Sequence, residues 1–213
     1  MSNDLLVEQI YNGANELSLP LTEIQARSLG QYVELLAKWN KAYNLTAVRE
    51  PDQMVSRHIL DSLSIVPYIK GDNILDVGSG PGLPGIPLAI MYPEKRITTL
   101  DSNGKKTRFM TQAKIEMGLK NLTVVNTRVE SYQPDHLFDG ITSRAFSSLS
   151  DMVEGTKHLL ADSGVYLAMK GLYPEEELSE LTQQFSCELV ESISLNVPGS
   201  DGERHLVILR NKY

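Results

Sequence analysis

The stretch DVGSGPGLPG at residues 76–85 decides the fold, because four glycines directly follow a short apolar run. That run, NILDV at residues 73–77, is typical of a buried strand. Glycines at a strand-to-helix turn let the backbone approach a ligand closely, and the following helix offers free N–H groups to an anion. Pro84 suits the start of that helix, since its missing N–H costs nothing there. The turn therefore predicts a ligand site beyond the carboxyl ends of parallel strands.

The segments after residue 71 alternate between strand-like and helix-like patterns, which is typical of a mostly parallel sheet with helices on both faces. The predicted strands cover residues 73–77, 96–101, 122–126, 138–142 and 164–170, and the predicted helices cover about 84–91, 105–117 and 150–160. Two more strand-like runs, 188–197 and 205–210, are joined by a short connection that contains Pro and Gly. This arrangement predicts an antiparallel hairpin at the sheet edge.

The first 70 residues predict helices instead of strands. Thr22 and Gln25 form a capping-box pattern, and the apolar residues that follow them recur at helical spacing. A second helix is expected after Pro51. We therefore expect a helical N-terminal region over residues 1–70 and an α/β ligand-binding domain over residues 71–213.

The composition limits the class of protein. With 213 residues, 41% of them hydrophobic, the chain is long enough to bury a stable core without disulfides or structural metals. The only cysteine, Cys187, excludes a disulfide framework and a thiolate zinc site. The N-terminal residues lack a basic region, and the longest uncharged run, 77–93, is too short for a membrane span. We expect a soluble, cytoplasmic monomer that binds neither membrane nor metal.

The net charge of −7 argues against a polyanionic partner, but the charge is unevenly distributed. Residues 171–203 contain eight acids and no Lys or Arg, and the rest of the chain has 20 basic and 19 acidic residues. Residues 101–128 contain six basic residues and two acids. Because local fields decide where a phosphate chain lies, nucleic acid stays possible away from the acidic stretch.

The glycines of the turn fit two ligand-binding patterns. Gly80, Gly82 and Gly85 satisfy the dinucleotide pattern. Gly78, Gly80 and Gly82, with Asp76 two residues ahead, match the S-adenosylmethionine pattern of Rossmann-like methyltransferases. The glycine next to the strand is Gly78, which breaks the dinucleotide spacing and favours the second pattern. A glycine-rich turn that binds nothing is the alternative.

Asp101 ends the next predicted strand, 19 residues after Gly82. A carboxylate there can accept hydrogen bonds from both hydroxyls of a ribose. Both glycine patterns predict such an acid, so Asp101 supports a nucleoside ligand without choosing between cofactors. A solvated aspartate at a strand end is the alternative interpretation.

Two long segments carry a resemblance to a known family: LDVGSGPGLPGIPLAI (75–90) and TLDSNGKKTRF (99–109). Shorter segments agree with it in order, namely YNLTAV (43–48), RHILDSL (57–63), SRA (143–145) and LAMKG (167–171). Together they resemble the bacterial 16S rRNA methyltransferase family RsmG, also called GidB. The resemblance implies a class I methyltransferase fold preceded by helices. It also implies methyl transfer from S-adenosylmethionine, with S-adenosylhomocysteine as product, to N7 of a guanine in the decoding-centre region of 16S rRNA or the small ribosomal subunit.

The resemblance also implies which residues bind the cofactor. It places Gly78 and Leu83 in the glycine loop, Val129 and Glu130 at the adenine, and Arg144 near the methionine end. Gly80 and Asp101 complete the predicted cofactor site from the glycine pattern and the strand end. Val129 departs from the family, which usually has alanine before the acid.

Methyl transfer to guanine N7 requires no general base, because N7 has an exposed lone pair. We expect catalysis by positioning and electrostatics, and we assign no catalytic residue. Arg144 is a clamp for the cofactor carboxylate or an RNA phosphate, or it forms a surface salt bridge. Trp39 and Tyr43 could stack on a base, but their helical spacing favours core packing. A small-molecule methyltransferase, a nicotinamide-dependent oxidoreductase and a non-catalytic nucleotide- or RNA-binding module are the alternative functions.

Overall fold

The computed structural model describes residues 3–144, 146 and 148–212, and its central layer is one seven-stranded sheet. The strands are β1 (Asn73–Val77), β2 (Arg96–Leu100), β3 (Leu122–Val125), β4 (Phe138–Ser143), β5 (Leu160–Lys170), β6 (Cys187–Ser194) and β7 (His205–Asn211). Their order is β3-β2-β1-β4-β5-β7-β6. Strands β1 to β5 pair in parallel, and β7 runs antiparallel to both β5 and β6. The predicted parallel sheet with an antiparallel C-terminal hairpin is confirmed.

The helices before the sheet are α1 (Asn3–Glu16), α2 (Glu23–Tyr43), α3 (Pro51–Met54) and α4 (Asp61–Leu63), with a π-helix at Val55–Leu60 and a 3₁₀ turn at Val66–Tyr68. The helices between the strands are α5 (Gly85–Met91), α6 (Gly104–Glu116), α7 (Leu149–Thr156) and α8 (Glu175–Gln184), with a 3₁₀ turn at Val129–Ser131. The helix predicted after Pro51 is therefore not a single α-helix, because a π-helix lies between α3 and α4. Within the part of the chain that the structure describes, no helix has both the length and the apolar character needed to cross a membrane.

Three boundaries in the C-terminal half differ from the prediction. One is the end of β6, which lies at Ser194 instead of residue 197. The helix predicted up to residue 160 ends at Thr156, and β5 begins at Leu160 instead of residue 164. Leu160 pairs with Phe138 across a register shift between β4 and β5. An apolar pair at 159–160 fits a helix end and a strand start equally well in the sequence. The pairing of Leu160 with Phe138 in the sheet makes residue 160 the start of the strand. Helix α8 was not predicted at all.

The helix caps follow the predicted chemistry. The Thr22 hydroxyl accepts the Gln25 N–H at 3.2 Å, and the Gln25 side chain accepts the Thr22 N–H at 2.9 Å. This reciprocal pair is the capping box, which satisfies two N–H groups at the start of α2. Pro84 lies just before α5 as its N-cap residue, so the helix begins at Gly85.

Helices cover both faces of the sheet, as predicted. A larger hydrophobic cluster joins buried side chains of α1, α2 and the π-helix to those of α5, α6 and one face of the sheet. A smaller cluster packs α7 and α8 on the other face. Because the larger cluster contains side chains from both sides of residue 70, the two predicted segments share one core. The division into residues 1–70 and 71–213 stays a prediction.

Helix α2 lies against the glycine turn. The fully buried Tyr32 donates a hydrogen bond from its hydroxyl to the Pro81 carbonyl at 2.9 Å. Phe109 of α6 packs against both Tyr32 and Trp39, with ring centroids 6.0 Å and 5.7 Å away. Trp39 is therefore a packing residue, whereas 44% of Tyr43 is exposed. The N-terminal helices thus support the turn on which the predicted ligand site is built.

Two glycines that begin helices provide a matched test of this packing. A Cβ on Gly85 would overlap Thr99 Cγ2 and lie 2.8 Å from Asp76 Oδ2, whereas a Cβ on Gly104 would only reach Asn126 Oδ1 at 3.7 Å. Gly85→Ala should lower the free energy of unfolding by about 1–3 kcal/mol, because α5 must move away from the sheet. Gly104→Ala should stay within about 0.5 kcal/mol of the wild type. Urea denaturation measures both, and equal stabilities for the two variants would contradict the packing role of Gly85.

Candidate functional site

The turn after β1 owes its shape to three glycines with positive φ. Gly78, Gly80 and Gly82 have φ angles of 66°, 60° and 95°, which L side chains rarely adopt. A Cβ on Gly80 would meet nothing within 4 Å, so the backbone there borders open space. Gly85 instead allows α5 to pack closely on Asp76 and Thr99. The positions that require a positive φ are therefore Gly78, Gly80 and Gly82, which form the glycine pattern that the sequence analysis favoured.

Asp76 is a fully buried carboxylate at the end of β1. Its Oδ2 accepts the Gly85 N–H at 2.9 Å, whereas its Oδ1 has no hydrogen-bond partner among the described residues. Burial raises the pKa of Asp76 to about 7, although hydrogen bonds from Gly85 and Ser79 and the charge of Arg144 oppose this. A buried oxygen without a partner is costly, so this oxygen favours a ligand that brings an N–H donor or a positive charge.

Asp101 joins the glycine turn to the turn after β2. Its Oδ2 accepts the Gly80 N–H at 2.9 Å, and its Oδ1 accepts the Asn103 N–H at 2.8 Å. Lys106 Nζ lies 3.6 Å from Oδ2. Each carboxylate oxygen has two lone-pair sites, so Asp101 can accept further hydrogen bonds from a ligand.

A cavity of about 310 Å³, which we call the glycine-turn cavity, lies at this end of the sheet. Four of the seven predicted cofactor residues line it: Gly78, Asp101, Val129 and Glu130. Gly80 does not line it but donates its N–H to Asp101, which does. The structure therefore brings these five residues together.

The other two predicted cofactor residues lie elsewhere. The Leu83 side chain is buried in the larger hydrophobic cluster, and its N–H donates to the Ser79 carbonyl at 2.9 Å. Arg144 lines a neighbouring cavity. Ala145, which belongs to the quoted SRA segment, lies outside the described residues.

The sequence analysis missed Phe146 as a lining residue of the glycine-turn cavity. Phe146 packs against the smaller hydrophobic cluster, which also holds Val129. It follows β4 in an irregular segment, so neither helical nor strand periodicity could have marked it. Its aromatic side chain adds an apolar wall beside the two residues that were predicted to contact adenine.

A second cavity of about 340 Å³, which we call the arginine cavity, lies over the ends of β4 and β5. Asp61, whose side chain is 4% exposed, accepts hydrogen bonds from Arg144 Nη1 at 3.0 Å and from Arg204 Nε at 3.1 Å. Arg57 also lines the cavity, and Lys170 does so while pairing with Glu177 at 2.8 Å. Arg144 thus forms the salt bridge that the sequence analysis weighed against a ligand clamp, and it still borders open space.

His58 in the π-helix has both ring nitrogens occupied. Its Nδ1 donates to the Arg57 carbonyl at 2.9 Å, and its Nε2 accepts from the Thr46 hydroxyl at 2.8 Å. Burial, helped by the charge of Arg144, lowers the pKa of His58 to about 4. The ring is therefore neutral at pH 7 and positions the backbone beside the arginine cavity.

The strand order and the glycine-turn site define a Rossmann-like, class I methyltransferase, and solved structures agree with that fold. The glycopeptide N-methyltransferase MtfA complexed with S-adenosyl-L-methionine matches with a TM-score of 0.63 and 10% identity, over 73% of this chain and 88% of MtfA. A SAM-dependent methyltransferase from Geobacter sulfurreducens in complex with S-adenosyl-L-homocysteine matches with a TM-score of 0.57 and 11% identity, over 84% and 98%.

The sequence identifies the family more closely. The GidB model, described as rRNA small subunit methyltransferase G, matches residues 25–207. The ribosomal RNA small subunit methyltransferase G of Pseudomonas aeruginosa (strain LESB58) is 58% identical over 95% of this chain and 94% of that protein. The same-named protein of Ectopseudomonas mendocina (strain ymp) is 58% identical over 95% of both chains. This chain belongs to the rRNA small subunit methyltransferase G family, which confirms the resemblance and makes it a methyltransferase that uses S-adenosylmethionine.

The environment of His58 predicts its titration. NMR of the histidine ring protons should show one ring that titrates near pH 4, and His58→Gln should remove that signal. The unfolded chain binds this proton near pH 6.5, so His58 contributes stability that is lost as the pH falls from 6.5 through 4. Thr46→Val removes the hydrogen bond to the neutral ring and should raise the pKa. A His58 ring that titrates near 6.5 in the wild type would contradict this environment.

Proposed function

We propose that this chain transfers a methyl group from S-adenosylmethionine to N7 of a guanine in the decoding-centre region of 16S rRNA. The observation that carries this proposal is 58% identity over 95% of the chain to proteins named ribosomal RNA small subunit methyltransferase G. The family match over residues 25–207 includes every residue that lines the glycine-turn and arginine cavities.

We propose that the glycine-turn cavity holds the cofactor. Gly78 with its positive φ and Asp101 with its free lone-pair sites line this cavity and support the proposal. At the same strand end, Asp76 Oδ1 has no hydrogen-bond partner among the described residues and fits a ligand that carries an amino group. Asp101 would bind the ribose hydroxyls, and Val129 and Glu130 would contact the adenine. When bound, S-adenosylmethionine supplies an electrophilic methyl group on a sulfonium.

The remaining three predicted cofactor residues fit this arrangement in different ways. Gly78 borders the cavity with a positive φ, which allows the backbone to approach a ligand. Leu83 would act through the turn, since its side chain belongs to the core. Arg144 would lie near the methionine end, which is supported by its place directly after Ser143, whose hydroxyl donates to the Val77 carbonyl at 2.9 Å. Val129 replaces the usual alanine, and a backbone contact would tolerate that change.

The chemistry at N7 needs no residue that removes a proton before attack. His58 has both ring nitrogens in hydrogen bonds, and the fully buried Asp76 lines neither cavity, so neither is placed to act as a general base. The residues of this chain would therefore act by orienting the cofactor and the guanine and by excluding water.

We propose that the protein acts as a monomer in the cytoplasm. One chain lines both the glycine-turn cavity and the arginine cavity, so neither cavity needs residues from a second copy. Its proposed substrate, the small ribosomal subunit or its 16S rRNA, is a cytoplasmic particle.

Transfer of a labelled methyl group tests the proposed function. The purified chain is incubated with labelled S-adenosylmethionine and either unmodified small subunits or their deproteinised 16S RNA. We expect label on one guanine N7, and the better substrate shows whether ribosomal proteins are required. Cofactor binding without label on either substrate would contradict the rRNA assignment. An absence of cofactor binding would contradict the methyltransferase assignment.

Asp101 provides a test of the cofactor site alone. Asp101→Ala should weaken S-adenosylmethionine binding by about 1–3 kcal/mol, or roughly 5- to 150-fold, because the ribose hydroxyls lose a charged acceptor. Isothermal titration calorimetry measures the affinity, and circular dichroism checks that the turn still folds.

The matched control is Asp162→Ala, because Asp162 is exposed near the start of β5, whereas Asp101 directly follows the end of β2. We expect the control to bind the cofactor as the wild type does. A folded Asp101→Ala variant with wild-type affinity would refute the role of Asp101.

A further inference from the structure

We infer that the arginine cavity is the acceptor pocket, in which a guanine nucleotide is held after flipping out of single-stranded RNA. Arg57 and Arg204 bind the flanking phosphates, and Tyr173 at the rim stacks on a neighbouring base. This inference rests on the proposed function and names the residues that receive its substrate.

The two cavities adjoin each other without sharing a lining residue. Ser143 at the end of β4 donates its hydroxyl to the Val77 carbonyl at 2.9 Å. Val77 lines the glycine-turn cavity, and the residue after Ser143 is Arg144, which lines the arginine cavity. The residues that line the two cavities therefore follow neighbouring parallel strands, β1 and β4, at the same end of the sheet, which places the proposed methyl donor beside the proposed acceptor.

The arginine cavity is cationic in a chain with a net charge of −7. Four cationic side chains and a single carboxylate, Asp61, line it; the cations are Arg57, Arg144, Lys170 and Arg204. Arg57 is exposed and makes no ion pair with any residue that the structure describes. The volume of the arginine cavity, about 340 Å³, is in the range of pockets for small ligands. Local charge of this sign selects a phosphate-bearing ligand.

Asp61 orients two of these arginines before any ligand arrives. It is buried and accepts one hydrogen bond on each oxygen, from Arg144 and from Arg204. Each guanidinium has five N–H donors, so both retain donors for a ligand. Pairing with Asp61 reduces the freedom of long side chains and lowers the entropy cost of binding.

The π-helix at Val55–Leu60 holds the third arginine. The Arg57 carbonyl accepts hydrogen bonds from His58 Nδ1 at 2.9 Å and from Arg144 Nη1 at 3.2 Å. These bonds fix the backbone of Arg57 to the end of β4, while its side chain stays exposed. Insertions of this kind in helices are frequent at functional sites.

The rim of the cavity offers an apolar surface. Leu172 and Tyr173, which are 73% and 45% exposed, directly follow the lining residue Gly171. His205 supports this rim, since its Nδ1 lies 3.0 Å from the Gly171 carbonyl and its ring centroid lies 5.9 Å from that of Tyr173. Exposed aromatic side chains beside cationic grooves stack on unpaired bases.

The chemistry of guanine limits which groups the arginines bind. An arginine that donated to N7 would occupy the lone pair that attacks the methyl group. We therefore assign Arg57 and Arg204 to phosphates. Extrusion of a base into a pocket is the usual solution for enzymes that modify an atom inside a stacked strand.

Arg204 and Tyr173 test the inference with unmodified small subunits as substrate. Arg204→Ala should raise KM about tenfold and reduce the slope of log affinity against log salt by about one, as expected for a lost phosphate contact. Tyr173→Ala should raise KM about fivefold or more with little change in that slope, because stacking involves no charge. Both variants should bind S-adenosylmethionine as the wild type does.

Arg210→Ala is the matched control, because Arg210 lies in β7, close in sequence to Arg204, and pairs with Glu188 at the other end of the strand. Its KM and salt slope should equal those of the wild type. Tyr173 is exposed, so its variant remains informative even where Arg204→Ala loses stability through Asp61.

The outcomes separate the two proposals. An active wild type with unchanged KM and salt slope in Arg204→Ala and Tyr173→Ala would overturn the acceptor pocket alone. A wild type that binds the cofactor but methylates neither subunits nor 16S RNA would overturn the proposed function and the pocket with it. A loss of cofactor affinity in both folded variants would assign the arginine cavity to the cofactor instead.

Discussion

Two buried carboxylates hold the backbone of the glycine turn, and the glycine-turn cavity depends on that turn. Asp76 binds the Gly85 N–H and so fixes α5 at the end of β1, whereas Asp101 binds the Gly80 N–H and joins the turns after β1 and β2. Hydrogen bonds from backbone N–H groups to carboxylates are stronger than those between neutral groups. They hold the turn at positive φ and leave its outer side to a ligand. The cost is a buried oxygen, Asp76 Oδ1, which has no hydrogen-bond partner among the described residues and which a ligand with an N–H donor would satisfy.

The N-terminal helices contribute to the site as well as to the core. Tyr32 donates a hydrogen bond to the Pro81 carbonyl of the glycine turn, and Asp61 accepts hydrogen bonds from Arg144 and Arg204 beside the arginine cavity. Asp61 therefore connects the helical region, the end of β4 and the C-terminal hairpin through one carboxylate. Removal of one partner from a buried ion pair destabilises a fold strongly, so this cluster also restrains how the three segments sit together.

The sequence predicted the parts of the fold whose signals are local. Apolar runs gave the strands, and the glycine pattern with Asp101 gave most of the glycine-turn cavity. Helix α8 was not predicted because only two of its ten residues, Leu178 and Leu181, are buried, which gives a weak apolar pattern. Its three glutamates at the N-terminus nevertheless suit the helix dipole. The arginine cavity was not predicted because its lining residues are far apart in sequence. Lys170 pairs with His205 across the β5–β7 ladder, which places Arg204 beside it, and a strand prediction does not fix such a register.

The acidic and basic residues of the molecule are unevenly distributed around the arginine cavity. Residues 171–203 carry eight acids, yet Gly171, the first of them, and Arg204, which directly follows the last, border a cationic cavity. Glu177 from this stretch pairs with Lys170 and so neutralises the charge of one lining residue of the arginine cavity. Arg57 is the exposed cation among the lining residues. The arginine cavity and residues 101–128, which contain six basic residues and two acids, are the cationic parts of an acidic molecule, so contacts with a phosphate backbone are confined to a few places. Such a distribution favours an enzyme that engages one nucleotide in a defined place over one that slides along RNA.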